Sequence, residues 1–191
     1  MAQAHDIQQL WHHKVIAQTL QQIHYAQKLD GLKLLSVSSL NERAGQTTLA
    51  ITLATGLSQL YKQKILYFDL NPNGDVLLTK LLNGQVGEDG LITQSDLPFS
   101  IFRLKDLTFN WNQNIFDSLF LSKLILAFKE DFDLLIIDSH LSIQDLKEDL
   151  NIVADSYLLL ANEETIKRKS EKLTEELKEI GINILGLIKN G

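Results

Sequence analysis

Short apolar runs alternate with longer amphipathic stretches along this chain. The apolar runs are bounded by Gly, Pro, Asn, Asp or Ser, which is typical of β-strands. Several of them are almost wholly apolar, as strands covered on both faces must be. The pattern predicts strands at Leu32–Ser38, Lys64–Leu70, Ser100–Leu104, Asp133–Asp138, Ser156–Ala161 and Asn183–Ile188.

The amphipathic stretches predict helices between these strands. In the first thirty residues apolar side chains recur at helical spacing, and Asp30-Gly31 ends this helix. Further helices are predicted near Thr47–Gln59, Asp75–Leu82, Asn114–Glu130, Ile143–Val153 and Glu163–Ile180. The alternation indicates an α/β fold, a three-layer α/β/α sandwich with a mostly parallel sheet. Without a linker or repeat, residues 1–191 are predicted to form one domain, with residues 1–30 as its N-terminal amphipathic helix.

Composition narrows the class of protein. The apolar content of 45% and the charged content of 22% are ordinary for a soluble globular protein. No apolar run reaches the roughly 18 to 20 residues that cross a bilayer, and the N-terminus lacks the features of a secretory signal. The absence of cysteine excludes disulfides and thiolate metal sites. A net charge of -6 argues against a broadly basic nucleic-acid surface. We expect a cytoplasmic protein with no direct membrane insertion.

The segment after the first predicted strand is a phosphate-binding loop with altered residues. The usual pattern is G-x-x-x-x-G-K-[ST], in which backbone amides surround phosphate, the lysine contacts its oxygens and the hydroxyl holds Mg²⁺. Here the octet runs from Leu40 to Thr47, with Leu40 at the first glycine and Gln46 at the lysine. Losing one stabilising donor costs about 10²–10³ in rate. The loop therefore predicts weak ATP hydrolysis.

Three further segments, in this order, complete a family resemblance. They are Ile65-Leu-Tyr-Phe-Asp69-Leu-Asn71-Pro72, Phe132-Asp-Leu-Leu-Ile-Ile-Asp138-Ser-His-Leu and Ile184-Leu-Gly-Leu-Ile-Lys-Asn190. With Gly45-Gln-Thr-Thr they resemble the MinD/ParA branch of P-loop NTPases. The chain is most similar to the cytoplasmic domain of bacterial tyrosine kinases (BY-kinases), which control polysaccharide chain length and export.

The resemblance implies a set of site residues. The cofactor would be ATP or ADP with Mg²⁺, and whether the altered loop binds it stays open. Hydroxyl and carboxylate oxygens suit Mg²⁺, which takes hard oxygen ligands. The implied nucleotide-binding residues are Gly45, Gln46, Thr47, Thr48 and Asn190, and the implied metal ligands are Thr47, Asp69 and Asp138.

Other family features are missing. The second acid of the family's D-x-D motif is Asn71 here, and the four tyrosines form no cluster for autophosphorylation. The first helix lacks the acid and arginines that assemble BY-kinase rings. No residue is therefore assigned a catalytic role, and a pseudo-ATPase or pseudokinase is favoured over an enzyme.

The resemblance and these losses together define the expected function. We expect a catalytically weak or inactive BY-kinase/MinD-like regulator or assembly partner in exopolysaccharide or envelope polysaccharide synthesis or export. Its partner would be a membrane component of that machinery, through which it would associate with the membrane, and it could form a homo-oligomer. Two alternatives stay open: an active ATPase with an atypical Walker A loop, in which Arg43 or a neighbour supplies the missing charge, and a MinD/ParA-type spatial-positioning protein.

Overall fold

A computed structural model describes residues 10, 13–40, 45–71, 78, 92, 97–106, 118–142, 154–166, 175, 179 and 181–190. Three helices span Lys14–Asp30 (α1), Gln46–Leu60 (α2) and Ser118–Asp131 (α3). The strands are Leu34–Ser39 (β1), Ile65–Asp69 (β2), Ser100–Arg103 (β3), Leu134–Ser142 (β4), Ser156–Asn162 (β5) and Ile184–Asn190 (β6), and a 3₁₀ turn follows β3 at Leu104–Asp106.

The six strands form one sheet in the order β3-β2-β4-β1-β5-β6, and every neighbouring pair is parallel. This confirms the predicted parallel sheet. Strand β4 lies between β1 and β2 in the sheet, and β5 lies on the other side of β1. Ligands of such sheets bind at the carboxyl ends of the strands where the strand order reverses. The end of β1 is therefore the expected place of a site.

Helices cover both faces of the sheet, which confirms the three-layer prediction. On one face α2 packs on the alternate strand residues that include Val37, Tyr67 and Ile136, and α1 lies beside α2 on the same face, next to β6. On the other face α3 packs on the remaining set, which includes Phe68. The helices α1 and α2 approach closely at Gly56, where a Cβ atom would lie 2.7 Å from Leu20 Cδ1.

Aspartates at the amino ends of the strands fix the strand positions. The carboxylate of Asp133, before β4, accepts a hydrogen bond from the Lys64 backbone amide at 2.7 Å. The carboxylate of Asp155, before β5, accepts bonds from the amides of Lys33 and Leu34 at 2.9 and 2.8 Å. These side chains satisfy backbone donors where the sheet ladder begins.

All six predicted strands are confirmed, with ends shifted by a few residues. The prediction that the fourth strand ends at Asp138 was wrong, because β4 continues to Ser142, which pairs with Ser39 after a register shift in β1. The helices predicted at Thr47–Gln59 and Asn114–Glu130 are confirmed as α2 and α3, although 114–117 lie outside the described residues.

The remaining predicted helices are described only in part. Of the first thirty residues, the part from Lys14 is confirmed as α1. Glu163–Ile166, Glu175 and Glu179 are helical within the fifth predicted helix. The helix predicted at Ile143–Val153 lies outside the described residues, as does that at Asp75–Leu82 apart from helical Leu78. None of the helices described is both long and apolar enough to cross a membrane.

Candidate functional site

The start of α2 has the geometry of an anion-binding helix end. Gly45 precedes the helix with φ 82°, a left-handed conformation that favours glycine. Its carbonyl accepts the hydrogen bond of the Leu49 amide at 2.9 Å. The amides of Gln46, Thr47 and Thr48 precede this first helical bond, so they are the donors that a helix N-terminus offers to an anion. The predicted phosphate-binding residues are thus together at one helix end.

The Gln46 side chain contacts Asp138 on β4. Gln46 Nε2 donates to Asp138 Oδ1 at 3.0 Å. The other oxygen, Asp138 Oδ2, accepts a hydrogen bond from the Tyr67 hydroxyl on β2 at 2.7 Å. Asp138 has 0% of its surface exposed. The residue at the lysine position is therefore joined to the predicted metal ligand Asp138, and Asp138 connects α2, β4 and β2.

Three charged residues lie side by side across β3, β2 and β4. Asp69 is the register partner of Arg103 on one side and of Asp138 on the other. We call Arg103, Asp69 and Asp138 the charged row; their exposed fractions are 4%, 0% and 0%. Register partners on neighbouring parallel strands lie about 4.8 Å apart and point to the same face.

Hydrogen bonds also hold the Asp69 carboxylate. Its Oδ1 accepts the backbone amide of Asn71 at 2.9 Å, in a short turn directly after β2. Asn71, which stands at the second acid of the family's motif, therefore contacts Asp69 through its main chain. This bond fixes the carboxylate at the carboxyl end of the sheet, near the start of α2.

Asn190, one of the predicted nucleotide-binding residues, lies apart from the charged row. It is the last residue of β6 and pairs with Asn162 at the end of β5. Since β6 is the edge strand beyond β5, Asn190 is on the opposite side of β1 from Asp69 and Asp138. The predicted site residues therefore form two groups on either side of the α2 N-terminus.

A cavity lies on the β6 side of this helix end. Its volume is about 500 Å³, and it lies between α1, the start of α2 and the ends of β5 and β6. Its walls include Gly45, Thr48, Leu160, Ile188 and Lys189. The cavity thus places apolar side chains and one lysine next to the predicted phosphate-binding amides.

The predicted magnesium ligands carry oxygen atoms of the kind that Mg²⁺ binds, and one of them, Asp138, also accepts hydrogen bonds from protein side chains. Asp69 and Asp138 are register partners, and Thr47 follows Gln46 at the start of α2. These are hard oxygen donors of the kind that Mg²⁺ takes. A cation bound directly at Asp138 shares that carboxylate with Gln46 and Tyr67. Within the described ranges no group of three or more His, Asp or Glu side chains could hold a metal, so the predicted ligand set of Thr47, Asp69 and Asp138 stays a prediction.

Sequence reasoning did not identify two residues of this site, Tyr67 and Arg103. Tyr67 lies two residues before Asp69, so strand alternation puts both on one face. Arg103 is a charged residue inside an apolar run, which is a signal in itself. Tyr67 lies beside Asp138, and Arg103 beside Asp69, because of the strand order. The sequence alone does not give that order. Arg43, the loop residue that one alternative uses to supply the missing charge, lies outside the described residues.

Comparisons with known proteins bear on the fold. No family model matches the chain, and no curated protein matches its sequence. The kinase domain of Escherichia coli tyrosine kinase ETK is similar in structure, with a TM-score of 0.66 and 19% identity over 88% of this chain and 71% of that chain.

Two further similar structures are a ParA family ATPase and an enzyme with bound ADP. A ParA family ATPase from Chlorobium tepidum has a TM-score of 0.58 and 18% identity over 82% of this chain and 73% of that one. Cobyrinic acid a,c-diamide synthase from Mycobacterium smegmatis, with bound ADP and magnesium, has a TM-score of 0.54 and 15% identity over the same shares, 82% and 73%. The chain therefore has the fold of MinD/ParA-type P-loop NTPases, a fold that it shares with the kinase domains of bacterial tyrosine kinases.

Proposed function

We propose that this protein is a catalytically weak or inactive BY-kinase/MinD-like protein that regulates or assembles an envelope polysaccharide synthesis or export complex. The observation that carries the proposal is the Gln46–Asp138 hydrogen bond at 3.0 Å. A neutral amide stands where the loop pattern has a lysine, and it is engaged with a buried carboxylate. Such a site lacks a charge that stabilises phosphoryl transfer, whose catalysis is mainly positioning and electrostatic stabilisation.

Two of the four tyrosines are buried in strands and unsuited to autophosphorylation. Tyr67 and Tyr157 lie in β2 and β5 and are 0% and 2% exposed. A kinase substrate tyrosine must reach a second active site, which buried strand residues cannot do without unfolding. The proposal therefore assigns the protein a binding role rather than a kinase role.

Nucleotide binding is an optional part of the proposal. The phosphates of ADP or ATP would be held by the amides of Gln46, Thr47 and Thr48, and the base would enter the cavity beside Lys189, toward Asn190. Bound Mg²⁺, held by Thr47, Asp69 and Asp138, would supply charge neutralisation. A solved structure with a similar fold, the synthase, has bound ADP and magnesium, which supports nucleotide binding as part of the proposal.

The proposed partner is a membrane component of the polysaccharide machinery, which would bring a cytoplasmic protein to the membrane. The link to polysaccharide rests on the motif resemblance to BY-kinases. On the protein's side, α1 exposes apolar surface that suits a protein contact: Val15, Tyr25 and Leu29 are 43%, 54% and 81% exposed. We infer that these side chains contribute to the partner contact.

The test compares nucleotide binding and hydrolysis in wild type, Gln46→Lys and Asp138→Asn, after each variant is shown to be folded. We expect wild-type turnover of Mg-ATP to equal that of Asp138→Asn, and Gln46→Lys to bind Mg-ATP about tenfold more tightly, which corresponds to about 1.4 kcal/mol. Gln21→Lys, on the exposed side of α1, is the matched control for the added charge.

One result would contradict the proposal. If wild type hydrolyses ATP and Asp138→Asn abolishes the activity, the protein is an active ATPase. Turnover per molecule that rises with protein concentration would further show that a neighbouring copy supplies the missing charge.

A further inference from the structure

The strand β6 is one edge of the sheet, and no other strand of the described ranges lies beyond it. It runs from Ile184 to Asn190 and pairs with β5 on its inner side. The strand at the opposite edge, β3, has four residues, of which three are buried. In contrast, β6 has seven residues, and Leu187 at its centre is 37% exposed. A long, exposed strand edge offers a row of backbone donors and acceptors to another strand.

The hydrogen bonds of β5 show which way the backbone of Leu187 points. The Tyr157 amide donates to the Asn183 carbonyl at 2.8 Å, so Tyr157 directs its backbone groups toward β6. Backbone groups alternate in direction along a strand, so those of Leu159 point the same way. Leu159 is the register partner of Leu187, and in a parallel pair it bonds the residues on either side of its partner. The amide and carbonyl of Leu187 therefore point away from β5, toward the open edge.

The surface along this edge is uncharged. A groove of about 450 Å³ lies between α1 and β6, and none of its described lining residues carries a charge. The single charged residue of β6, Lys189, pairs with Glu163 of the same chain at 2.9 Å. The chain has a net charge of -6, so two copies repel where acidic surfaces meet. Since charge is depleted at the centre of protein interfaces, this edge suits the approach of a second copy.

We propose that β6 is a dimer interface, at which the β6 strands of two copies pair antiparallel and join their sheets into one. A strand edge is completed by another strand, and a two-fold axis lets the same surface serve both copies. The seven residues are in full register when Leu187 lies on the axis and exchanges two hydrogen bonds with Leu187 of the second copy. Gly186 then faces Ile188 of the second copy, so a small residue meets a large one.

This interface goes beyond the proposed function, because its occupant is a second copy of the chain and not a membrane component. The association of two copies is measured without nucleotide and without a further partner. Dimer formation and ATP turnover are therefore separate results, and either can fail while the other holds.

The experiment measures self-association of the full chain by sedimentation velocity over a range of protein concentrations. The samples are wild type, Leu187→Lys, Leu187→Glu and an equimolar mixture of these two variants. Leu126→Lys, at a position of α3 that is 62% exposed, is the matched control for a leucine replaced by a charge. Circular dichroism first shows that each variant is folded.

A second measurement uses the absence of cysteine from the chain, since Leu187→Cys adds a single thiol. Register partners of a hydrogen-bonded antiparallel pair have Cα atoms about 5.5 Å apart, a distance that a disulfide spans. Mild oxidation followed by non-reducing electrophoresis detects the covalent dimer. Leu126→Cys is the control for random collision of exposed thiols.

We expect wild type and Leu126→Lys to form dimers with the same dissociation constant. In Leu187→Lys and in Leu187→Glu two like charges lie opposite each other, so the dissociation constant should rise about tenfold. The mixture brings opposite charges together and should associate about tenfold more tightly than either variant alone. Oxidation should convert Leu187→Cys to the covalent dimer before Leu126→Cys reacts.

Three results of sedimentation would overturn the inference. The first is a wild type that stays monomeric up to about 1 mM protein, which would leave the edge to a strand of a different protein. The second is a dimer that neither charge variant weakens, since it would then use another surface. The third is a pair of weakened variants that fail to associate when mixed. If the charge variants do not fold, the thiols decide, and equal oxidation of Leu187→Cys and Leu126→Cys would contradict the proposed pairing.

Discussion

Replacing Tyr67 by phenylalanine tests the contact that joins β2 to β4 in the site. The change removes the hydroxyl that donates to Asp138 Oδ2 at 2.7 Å and leaves the ring in place. The ring keeps its contact with Phe99, whose centroid lies 5.9 Å from that of Tyr67. Tyr67→Phe is therefore expected to report on one hydrogen bond rather than on packing.

The magnitude follows from the burial of both partners. Tyr67 and Asp138 are each 0% exposed, so water cannot replace the lost donor without entering the core. A hydrogen bond to a charged group contributes about 1.5–3 kcal/mol. We expect the free energy of unfolding to fall by about 2 kcal/mol. For a chain of this size that corresponds to a fall in unfolding temperature of about 4 to 8 °C.

The assay is urea unfolding of wild type, Tyr67→Phe and a matched control, Tyr25→Phe. The Tyr25 hydroxyl is exposed and accepts only a long bond of 3.4 Å from Gln21 in the described contacts. Its removal should change the free energy of unfolding by less than about 0.5 kcal/mol. Asp138→Asn and the double variant Tyr67→Phe/Asp138→Asn complete a cycle, for which we expect a coupling energy of at least about 1 kcal/mol.

The reasoning would be refuted by a Tyr67→Phe variant as stable as Tyr25→Phe. It would also be refuted by additive effects of Tyr67→Phe and Asp138→Asn, since the two groups would then not interact. A change in the slope of unfolding with urea would instead indicate an altered denatured or native state, and the comparison would then be repeated by calorimetry.

Two further predictions concern stability away from the site. Asp155→Ala removes a carboxylate that accepts two backbone amides of β1 and contacts Lys129 Nζ at 2.7 Å, so we expect urea unfolding to show a loss of about 2 kcal/mol. Asp131→Ala, at an exposed position, is its control, and equal effects of the two would contradict the prediction. Burial raises the pKa of Tyr157 above its ordinary value of 10.0, and the bond from the Ala154 amide lowers it in part. As pH rises, the Tyr157 hydroxyl of the unfolded chain therefore loses its proton first. The contribution of Tyr157 to the free energy of unfolding is full below pH 10.0 and is lost as pH rises through the pKa of the folded state. Tyr157→Phe should flatten this alkaline loss in urea titrations, and an unchanged alkaline limb would refute it.

Much of the fold could be predicted because its strands are nearly continuous apolar runs. A run such as Ile65–Asp69 admits few structures other than a strand covered on both faces. The end of β4 was missed for a physical reason. Ser139, His140 and Leu141 do not continue the apolar run, so their strand pairing depends on β1 and its register shift rather than on their own sequence.

Site residues that are close in the sequence could be predicted from it. Site residues that come together only through the order of the strands in the sheet could not. Gly45 and Gln46 follow β1 within seven residues of its end, so a loop pattern locates them. The relation of Tyr67 to Asp138 and of Arg103 to Asp69 requires β2 to lie between β3 and β4. That order depends on tertiary packing, which no local pattern reports. Sequence reasoning therefore found the residues of the loop. It missed Tyr67 and Arg103, which lie beside Asp138 and Asp69 on neighbouring strands.

The contacts of Asp138 give this residue a structural role that is independent of catalysis. It accepts hydrogen bonds from α2 through Gln46 and from β2 through Tyr67 while it lies in β4. A lysine at position 46 would add a positive charge beside Asp138, whereas glutamine keeps a donor there without the charge. Because Arg103 already lies in the same row, the neutral residue leaves one positive and two negative side chains at this end of the sheet. The hydrogen bonds of Asp138 thus account for a carboxylate at the position of a predicted metal ligand, so its presence alone does not argue for ATP hydrolysis. The loss of stability in Asp138→Asn, measured beside its turnover, separates these two roles.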